Sequence, residues 1–282
     1  MQAFSTQVAG EFHPEVLRTL LNRSFNDYVG GSYSMDQQRF LRFLASEAVD
    51  LSVSVVLLED GEPIGLGLVS RRGWSSRLVL MGVVEEARGR RSGTYLLSVL
   101  LEEAKNRGDR FYHLEVIQAN TPAVVLYEKG GFEKVRYLYA YQRGSLIEGA
   151  TEDKHSLAER VQAVDCYEVA QGIACEGLAR LAWQVSDGGV ARLTDPMQAY
   201  RLDGAQAVVL PTEADFILRA LIVKQALRKQ GQATALLKAI NEQHPEKGWY
   251  VPAICPEELD PFFQAMGFQQ QEMRQYQMVH IL

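Results

Sequence analysis

The strongest constraint on the fold is a strand–turn–helix–strand pattern that occurs twice along the chain. In the first copy, residues 82–132, an apolar strand runs into the basic turn RGRRSGT at 88–94, followed by an amphipathic helix, a second strand and LYEKGGF at 126–132. Near the C-terminus the turn RKQGQAT, at 228–234, has the same setting. A turn rich in arginine and main-chain donors that opens a helix is typical of an anion site, such as one for a pyrophosphate.

The spacing of the two copies indicates an internal duplication. Arg88 and Arg228 lie 140 residues apart, and Phe132 and Phe268 lie 136 residues apart. An Asp-Gly pair, a strong hairpin signal, precedes each turn, at Asp60 and at Asp203. The separations of these corresponding residues differ by only a few positions, which favours an internal repeat over chance.

The polar, small-residue stretch GSLIEGATEDKH at 144–155 is the best linker in the chain. We therefore predict two domains, 1–145 and 156–282, separated by a linker at 146–155. The first 50 residues are predicted to be helical, and hairpins, strands and helices follow in each half. The predicted fold class is α/β (α+β), with a mixed, mostly antiparallel sheet flanked by helices in each domain.

Composition narrows the class of protein. The chain has 282 residues, a net charge of −6 and 47% hydrophobic residues, which describes a globular protein without the broad basic face of a nucleic-acid binder. No signal peptide and no apolar run of the roughly 18 residues needed to cross a membrane are evident, so we expect a cytoplasmic protein. The three cysteines have no CxxC spacing and the histidines have no metal-ligand spacing, so we expect neither a disulfide framework nor a metal.

These motifs together resemble the GCN5-related N-acetyltransferase (GNAT) family, whose acyl-CoA signature is Q/R-x-x-G-x-G/A. The resemblance covers residues 50–142 well and residues 198–282 more loosely, so the chain resembles two fused GNAT domains. It implies acetyl-CoA as co-substrate, held along a splayed strand and by the amides of the basic turn. The cofactor-binding residues that it implies are Met81, Val83, Val84, Arg88, Gly89, Arg90, Arg91, Ser92, Gly93, Thr94 and Asn120.

The first turn departs from the family pattern because Arg91 stands where the first glycine is expected. We expect that the backbone there needs no positive φ and that the guanidinium adds a phosphate contact. The alternative is weaker cofactor binding. The second copy keeps the pattern and implies a second cofactor site at Val223, Arg228, Gly231 and Ala233.

The resemblance assigns Tyr127 as the general acid that protonates the CoA thiolate as it leaves. The second copy has Phe263 at that position, and a phenyl ring has no proton to give. Glu115 is the favoured general base, acting directly or through water, while Glu85 and Glu86 are the alternatives.

The favoured function is an acetyl-CoA-dependent N-acetyltransferase in which the N-terminal domain acetylates an amine of a small molecule or peptide by direct attack. The alternative is a non-catalytic acyl-CoA-binding or sensor protein, and a third possibility places activity in the C-terminal copy. We expect no nucleic-acid or membrane partner, and a monomer or homodimer. The acceptor stays open, since acceptor-binding loops vary freely on one scaffold.

Overall fold

The computed structural model describes residues 4–31, 34–146 and 157–282. Packing divides them into two units. The N-terminal unit extends to Arg136 and also takes in Tyr276–Leu282, whereas the C-terminal unit is Tyr137–Gln275. Apart from Leu146, the predicted linker at 146–155 lies outside the described residues, and the predicted domain limits stay a prediction.

Besides the end of the last strand of the chain, the N-terminal unit holds six strands and four helices among its described residues, the sixth strand continuing into the other unit. They are β1 (Phe4–Val8), α1 (Pro14–Ser24), α2 (Gln37–Ser46), β2 (Val55–Glu59), β3 (Glu62–Arg72), β4 (Ser75–Val83), α3 (Ser92–Asn106), β5 (Phe111–Ile117), α4 (Thr121–Lys129) and β6 (Glu133–Arg143).

The sheet of this unit has the order β1-β2-β3-β4-β5, followed by the last strand of the chain. Strands β1 to β4 pair antiparallel, and β4 pairs parallel with β5. The two-residue turn at Asp60 and Gly61 has φ values of 51° and 86°, the left-handed geometry that matches the twist of a hairpin. The prediction of a mixed, mostly antiparallel sheet flanked by helices is confirmed.

The expectation of a purely helical N-terminus is wrong, because β1 forms there. Phe4 to Val8 pairs with β2 from Glu59 to Val55 and closes the edge of the sheet. Its sequence, FSTQV, is short and has no apolar run, so periodicity alone does not reveal it. The two expected helices follow it, and α2 begins at an Asp36 side chain that accepts a hydrogen bond from the main-chain N–H of Arg39 at 2.7 Å.

The C-terminal unit repeats this order of elements. Its further elements are β7 (Gln162–Val164), α5 (Cys166–Glu176), α6 (Asp187–Val190), β8 (Gln198–Leu202), β9 (Ala205–Pro211), β10 (Asp215–Val223), α7 (Gln232–Glu242), β11 (Gly248–Pro256), α8 (Asp260–Ala265) and β12 (Gln269–Ile281). Strands β7 to β10 pair antiparallel, β10 pairs parallel with β11, and β11 pairs antiparallel with the second half of β6.

The last strand of the chain returns to the N-terminal unit, which the sequence does not reveal. Strand β12 begins in the C-terminal unit and ends in the N-terminal one, where Met278 is buried in the core and the Leu282 N–H donates to the Arg110 carbonyl at 3.1 Å. The N-terminal unit is therefore completed by the last seven residues of the chain, Tyr276–Leu282. None of the described helices combines the length and apolar character that a bilayer crossing requires.

Candidate active site

The N-terminal sheet opens between β4 and β5. Their parallel pairing runs only from Ser75–Phe111 to Leu78–Leu114, although both strands continue beyond it. A bulge at Val79 shifts the register of β4 on β3 where the opening begins, and bulges bend a strand away from its neighbour. Past Leu78, β4 therefore presents an edge without β5 partners, and main-chain groups at such an edge can bind a peptide-like ligand.

Two of the predicted cofactor residues lie on this opened half of β4. Met81 and Val83 pair with Gly67 and Gly65 of β3, on the face that α3 covers. Val84, which follows, is buried, and its N–H donates to the Ile64 carbonyl at 2.9 Å. The opened strand is thus anchored at its far end.

The turn after β4 corrects one expectation. Arg91 has φ 66°, so the backbone does need the left-handed conformation that glycine adopts without strain. Gly89 is also left-handed, at 75°. In the C-terminal turn the two left-handed residues are Lys229 at 59° and Gly231 at 76°. Each turn therefore uses two left-handed residues and places a glycine at only one of them.

Most side chains of the first turn are engaged within the protein. Arg88 donates to the Val83 carbonyl at 3.2 Å, to the Ser24 carbonyl at 2.9 Å and to both Asp27 oxygens, and this hydrogen bonding lowers the pKa of Asp27. Arg90 makes a bidentate ion pair with the hairpin carboxylate Glu59 at 2.9 and 3.0 Å. These two guanidinium groups hold the turn in place.

The buried Ser92 hydroxyl donates to the Ala87 carbonyl at 2.6 Å and closes the turn from inside. Of the three arginine side chains in the turn, only that of Arg91 makes no ion pair or hydrogen bond with the residues that the structure describes. The N–H groups at the start of α3, including those of Gly93 and Thr94, have no carbonyl partner within the helix. The turn thus offers these amides, the helix dipole and one uncommitted cation to an anion.

Tyr127 lies on α4, which begins at Asn120. The Asn120 side chain caps the helix by accepting the Ala123 N–H at 3.3 Å. Tyr127 is buried and meets the Phe132 ring edge-on, with centroids 5.8 Å apart. Burial raises the pKa of the Tyr127 phenol, and the nearby Tyr28 adds to the rise. The phenol is accordingly held in its protonated form.

Tyr28 joins this group. It is hydrogen-bonded to Asn120, and its ring meets Phe25 edge-on with centroids 5.1 Å apart. Burial raises its pKa, while the bond to Asn120 lowers it. No local pattern predicts the pairing of Tyr28 with Asn120, because the two residues lie more than 90 positions apart in the chain.

Glu115, the predicted base, is part of a buried ion pair at the opening. Its Oε2 lies 2.7 Å from Arg77 Nε, and Arg77 Nη1 lies 2.6 Å from Glu47 Oε2. The side chains of Arg77 and Glu115 are only 5% and 4% exposed. A proton accepted by Glu115 would disrupt this pair, so the geometry fits a structural ion pair better than a base. The alternatives, Glu85 and Glu86, are exposed on the turn that follows β4.

The C-terminal unit has the same opening. Pairing of β10 with β11 stops at Ile217–Tyr250, and Arg219 stands at the bulge. A cavity of about 830 Å³ occupies the opening, and all four predicted residues of the second site, Val223, Arg228, Gly231 and Ala233, line it.

The chemistry around this second opening differs. Phe263 lines the cavity and stacks on Tyr141, with centroids 4.8 Å apart and planes 19° apart. By strand register, Ile217 and Pro252 occupy the places of Arg77 and Glu115. The C-terminal unit thus keeps the frame of the site without its phenol or its buried charges.

A known family model matches the segment that carries the opening, the turn and Tyr127. Residues 16–132 match the model of the acetyltransferase (GNAT) family. They contain the opened strand, the turn and Tyr127, so the segment that carries the candidate site is similar in sequence to the GNAT acetyltransferases.

Among curated proteins, streptothricin acetyltransferase of Streptomyces lavendulae is 30% identical over 105 residues, which cover 36% of this chain and 56% of the relative. The match thus spans little more than half of that relative's length.

Solved structures extend the likeness of fold to the whole chain. A GCN5-related N-acetyltransferase from Sphaerobacter thermophilus aligns over 99% of this chain and 95% of its own, with a TM-score of 0.64 and 15% identity. Another, from Kribbella flavida, aligns over 100% and 71%, with a TM-score of 0.65 and 15% identity. A tandem GNAT protein from the clavulanic acid biosynthesis pathway aligns over 100% and 98%, with a TM-score of 0.59 and 15% identity.

Proposed function

We propose that the N-terminal unit transfers an acetyl group from acetyl-CoA to an amine of a small molecule or peptide by direct attack. The observation that carries the proposal is the opening beyond Leu78, which is followed by the turn at residues 88–94 and belongs to the same core as the buried Tyr127. Strand edge, turn and phenol suit the three parts of acetyl-CoA, which are a peptide-like arm, a pyrophosphate and a thioester.

The turn would hold the pyrophosphate through its main-chain N–H groups from Gly89 to Thr94, with the positive end of the α3 dipole behind them. Arg88 and Arg90 support the turn through their ion pairs with Asp27 and Glu59, rather than by reaching toward the ligand. Arg91 is the side chain that is available to a phosphate oxygen.

Tyr127 is the proposed general acid. Acetyl-CoA supplies a thioester that an amine can attack directly, so the protein has to stabilise the developing oxyanion and protonate the leaving thiolate. Main-chain N–H groups at the opened edge of β4 suit the first task. A phenol whose pKa is raised by burial, and which is thus protonated across the working range, suits the second. Tyr28 and Asn120 fix the surroundings of that phenol.

The route of the amine proton is proposed to be water at the opening. Glu115 was the predicted base, but its carboxylate is bound to Arg77 at 2.7 Å. Its proposed role is to hold Arg77 beside the opening.

A thiol-release assay tests this function, using acetyl-CoA with a panel of aminoglycoside-like and streptothricin-type antibiotics, amino sugars and peptides. Streptothricin belongs in the panel because the curated relative is named for it. We expect turnover with at least one amine, and Tyr127→Phe should lower kcat about 10²- to 10⁴-fold with little change in the KM for acetyl-CoA.

Tyr112→Phe is the matched control. Tyr112 is a fully buried tyrosine of the same core, it also meets Phe132 edge-on, and its hydroxyl has no hydrogen-bond partner among the described residues. It should keep the wild-type kcat. Equal kcat values for the Tyr127→Phe variant and the wild type would refute the acid role, and no thiol release from any amine would refute the transferase.

We further propose that the C-terminal unit binds a CoA thioester without transferring its acyl group. The cavity meets the turn that carries Arg228 and Gly231, and Arg228 supports this turn as Arg88 supports the first. Arg228 donates to the Val223 carbonyl at 3.2 Å and to the Glu176 carbonyl. Phe263 in place of the phenol favours binding over catalysis.

A further inference from the structure

The cavity of the C-terminal unit has a wall made of aliphatic side chains. Besides the turn of residues 228–234, the end of α5 and the segment after it contribute Ile173, Leu178, Leu181 and Val185 to the lining. We call these four residues the aliphatic wall. Leu218, Leu221 and Ile254 continue the apolar lining along the two opened strands.

The strands beside this wall lack the buried ion pair of the N-terminal opening. The N-terminal unit carries the buried pair Arg77 and Glu115 on the strands at its opening, whereas the corresponding residues here are Ile217 and Pro252. Arg219 is the cation at the bulge, and it already interacts with another group of the protein. What the wall can bind favourably is apolar surface.

We propose that the C-terminal unit retains, without turnover, a CoA thioester whose acyl group is an aliphatic chain longer than acetyl. This inference rests on the proposed function in one respect, that the turn at 228–234 binds the phosphates of CoA. The arm would follow the opened edge of β10 and the acyl chain would lie against the aliphatic wall.

The size of the cavity agrees with such a ligand. Its volume of about 830 Å³ lies toward the upper end of the roughly 300–1,000 Å³ that is usual for ligand sites. An acetyl group has a single methyl to bury, which leaves the aliphatic wall uncovered. Each further methylene that leaves water against such a wall strengthens binding about fourfold, until the wall is covered.

Retention of the thioester follows from the groups at the cavity. Phe263 cannot protonate a leaving thiolate. Cys255 also lines the cavity, but burial raises the pKa of its thiol, with Asp260 and Glu258 adding to the rise, so the thiol is a poor nucleophile. The Tyr141 hydroxyl behind Phe263 is committed to Asp260 at 2.8 Å.

The test measures the affinity of the full-length protein for acetyl-, hexanoyl- and octanoyl-CoA by calorimetry. We expect two classes of site, one of which gains about fourfold per methylene. Leu181→Trp, which fills the aliphatic wall, should abolish that gain. Leu41→Trp is the matched control, because Leu41 is 46% exposed on α2, and it should keep the gain. Equal affinity for acetyl- and octanoyl-CoA, or a gain that survives Leu181→Trp, overturns the proposal.

A second arm locates the site and checks retention. Gly231→Asp places a carboxylate in the C-terminal turn at a backbone conformation that aspartate tolerates, and Gly89→Asp does the same in the N-terminal turn. Only Gly231→Asp should remove the chain-length-dependent site, and its persistence in that variant contradicts the assignment. Retention is checked in the Tyr127→Phe variant. If that variant releases thiol from octanoyl-CoA, and adding Gly231→Asp abolishes the release, the C-terminal site turns the thioester over and retention is contradicted. If affinity rises with acyl chain length but the protein acetylates no amine, the proposed transferase function is refuted and the proposed C-terminal site is not.

Discussion

Replacing the buried pair Arg77 and Glu115 by apolar residues distinguishes a structural ion pair from a catalytic base. The perturbation is the double variant Arg77→Met/Glu115→Leu, compared with Glu115→Gln alone. The C-terminal unit supplies the precedent, since Ile217 and Pro252 occupy the corresponding strand positions. Glu47, the second partner of Arg77, is 25% exposed and can return to water when the guanidinium is removed.

The magnitudes follow from burial. Glu115→Gln removes one of two carboxylates from a guanidinium that is 5% exposed, which should lower the free energy of unfolding by about 2 kcal/mol. For a protein of this size that corresponds to roughly 4–8 °C in Tm. The double variant leaves no unpaired buried charge, and exchange of a buried pair for apolar residues of similar volume is often close to neutral. Its Tm should return to within about 3 °C of the wild type.

The kcat of the double variant distinguishes a general base from a structural ion pair. If Glu115 is a general base, the double variant should lose about 10²- to 10⁴-fold in kcat however stable it is. If Glu115 serves the ion pair, kcat should stay within about threefold of the wild type, since the groups that touch the reacting atoms are unchanged. Thermal unfolding and steady-state thiol release on the same preparations decide the matter. A stable double variant with a 100-fold loss would refute the structural interpretation and restore Glu115 as the base.

Two further predictions concern stability. Arg91→Gly removes left-handed strain of about 1 kcal/mol, partly offset by the entropy of glycine, whereas Gly231→Ala adds that strain. The urea midpoint should therefore rise in Arg91→Gly and fall in Gly231→Ala. Shifts of the same sign would contradict this. Asn241→Ala should lower the free energy of unfolding by about 3 kcal/mol or more, because the buried amide accepts from Leu146 N–H and Trp249 Nε1 and donates to two carbonyls. An unchanged urea midpoint would contradict the central role of this amide.

Local sequence signals were enough for much of the fold. Both Asp-Gly hairpins, the helices after the two basic turns and the short helix that carries Tyr127 follow from patterns within about a dozen residues. Turn chemistry and hydrophobic period act over that range, so they can be recognised in one sequence. The order of strand and turn, with Met81 and Val83 just before the turn, follows in the same way, whereas the splaying of that strand is what the family resemblance implies.

What the sequence could not reveal depends on contacts between distant positions. Tyr28 meets Asn120, and Glu47 meets Arg77, across separations that no periodicity reports. The return of residues 276–282 to the N-terminal unit is of the same kind. The φ of Arg91 was missed for another reason, because a bulky residue in the left-handed region is rare and the family pattern argues for glycine there.

Comparing the two turns indicates which residues set their left-handed backbone conformation and which only lower its strain. Glycine stands at the first left-handed position in one turn and at the second in the other, so neither glycine alone can set the geometry. What both turns share is an arginine side chain that joins the end of the opened strand to the end of a helix, Arg88 through Val83 and Ser24, and Arg228 through Val223 and Glu176. Strained backbone persists where its surroundings fix it. We infer that this arginine clamp sets the turn, and that glycine lowers the strain of a conformation already imposed.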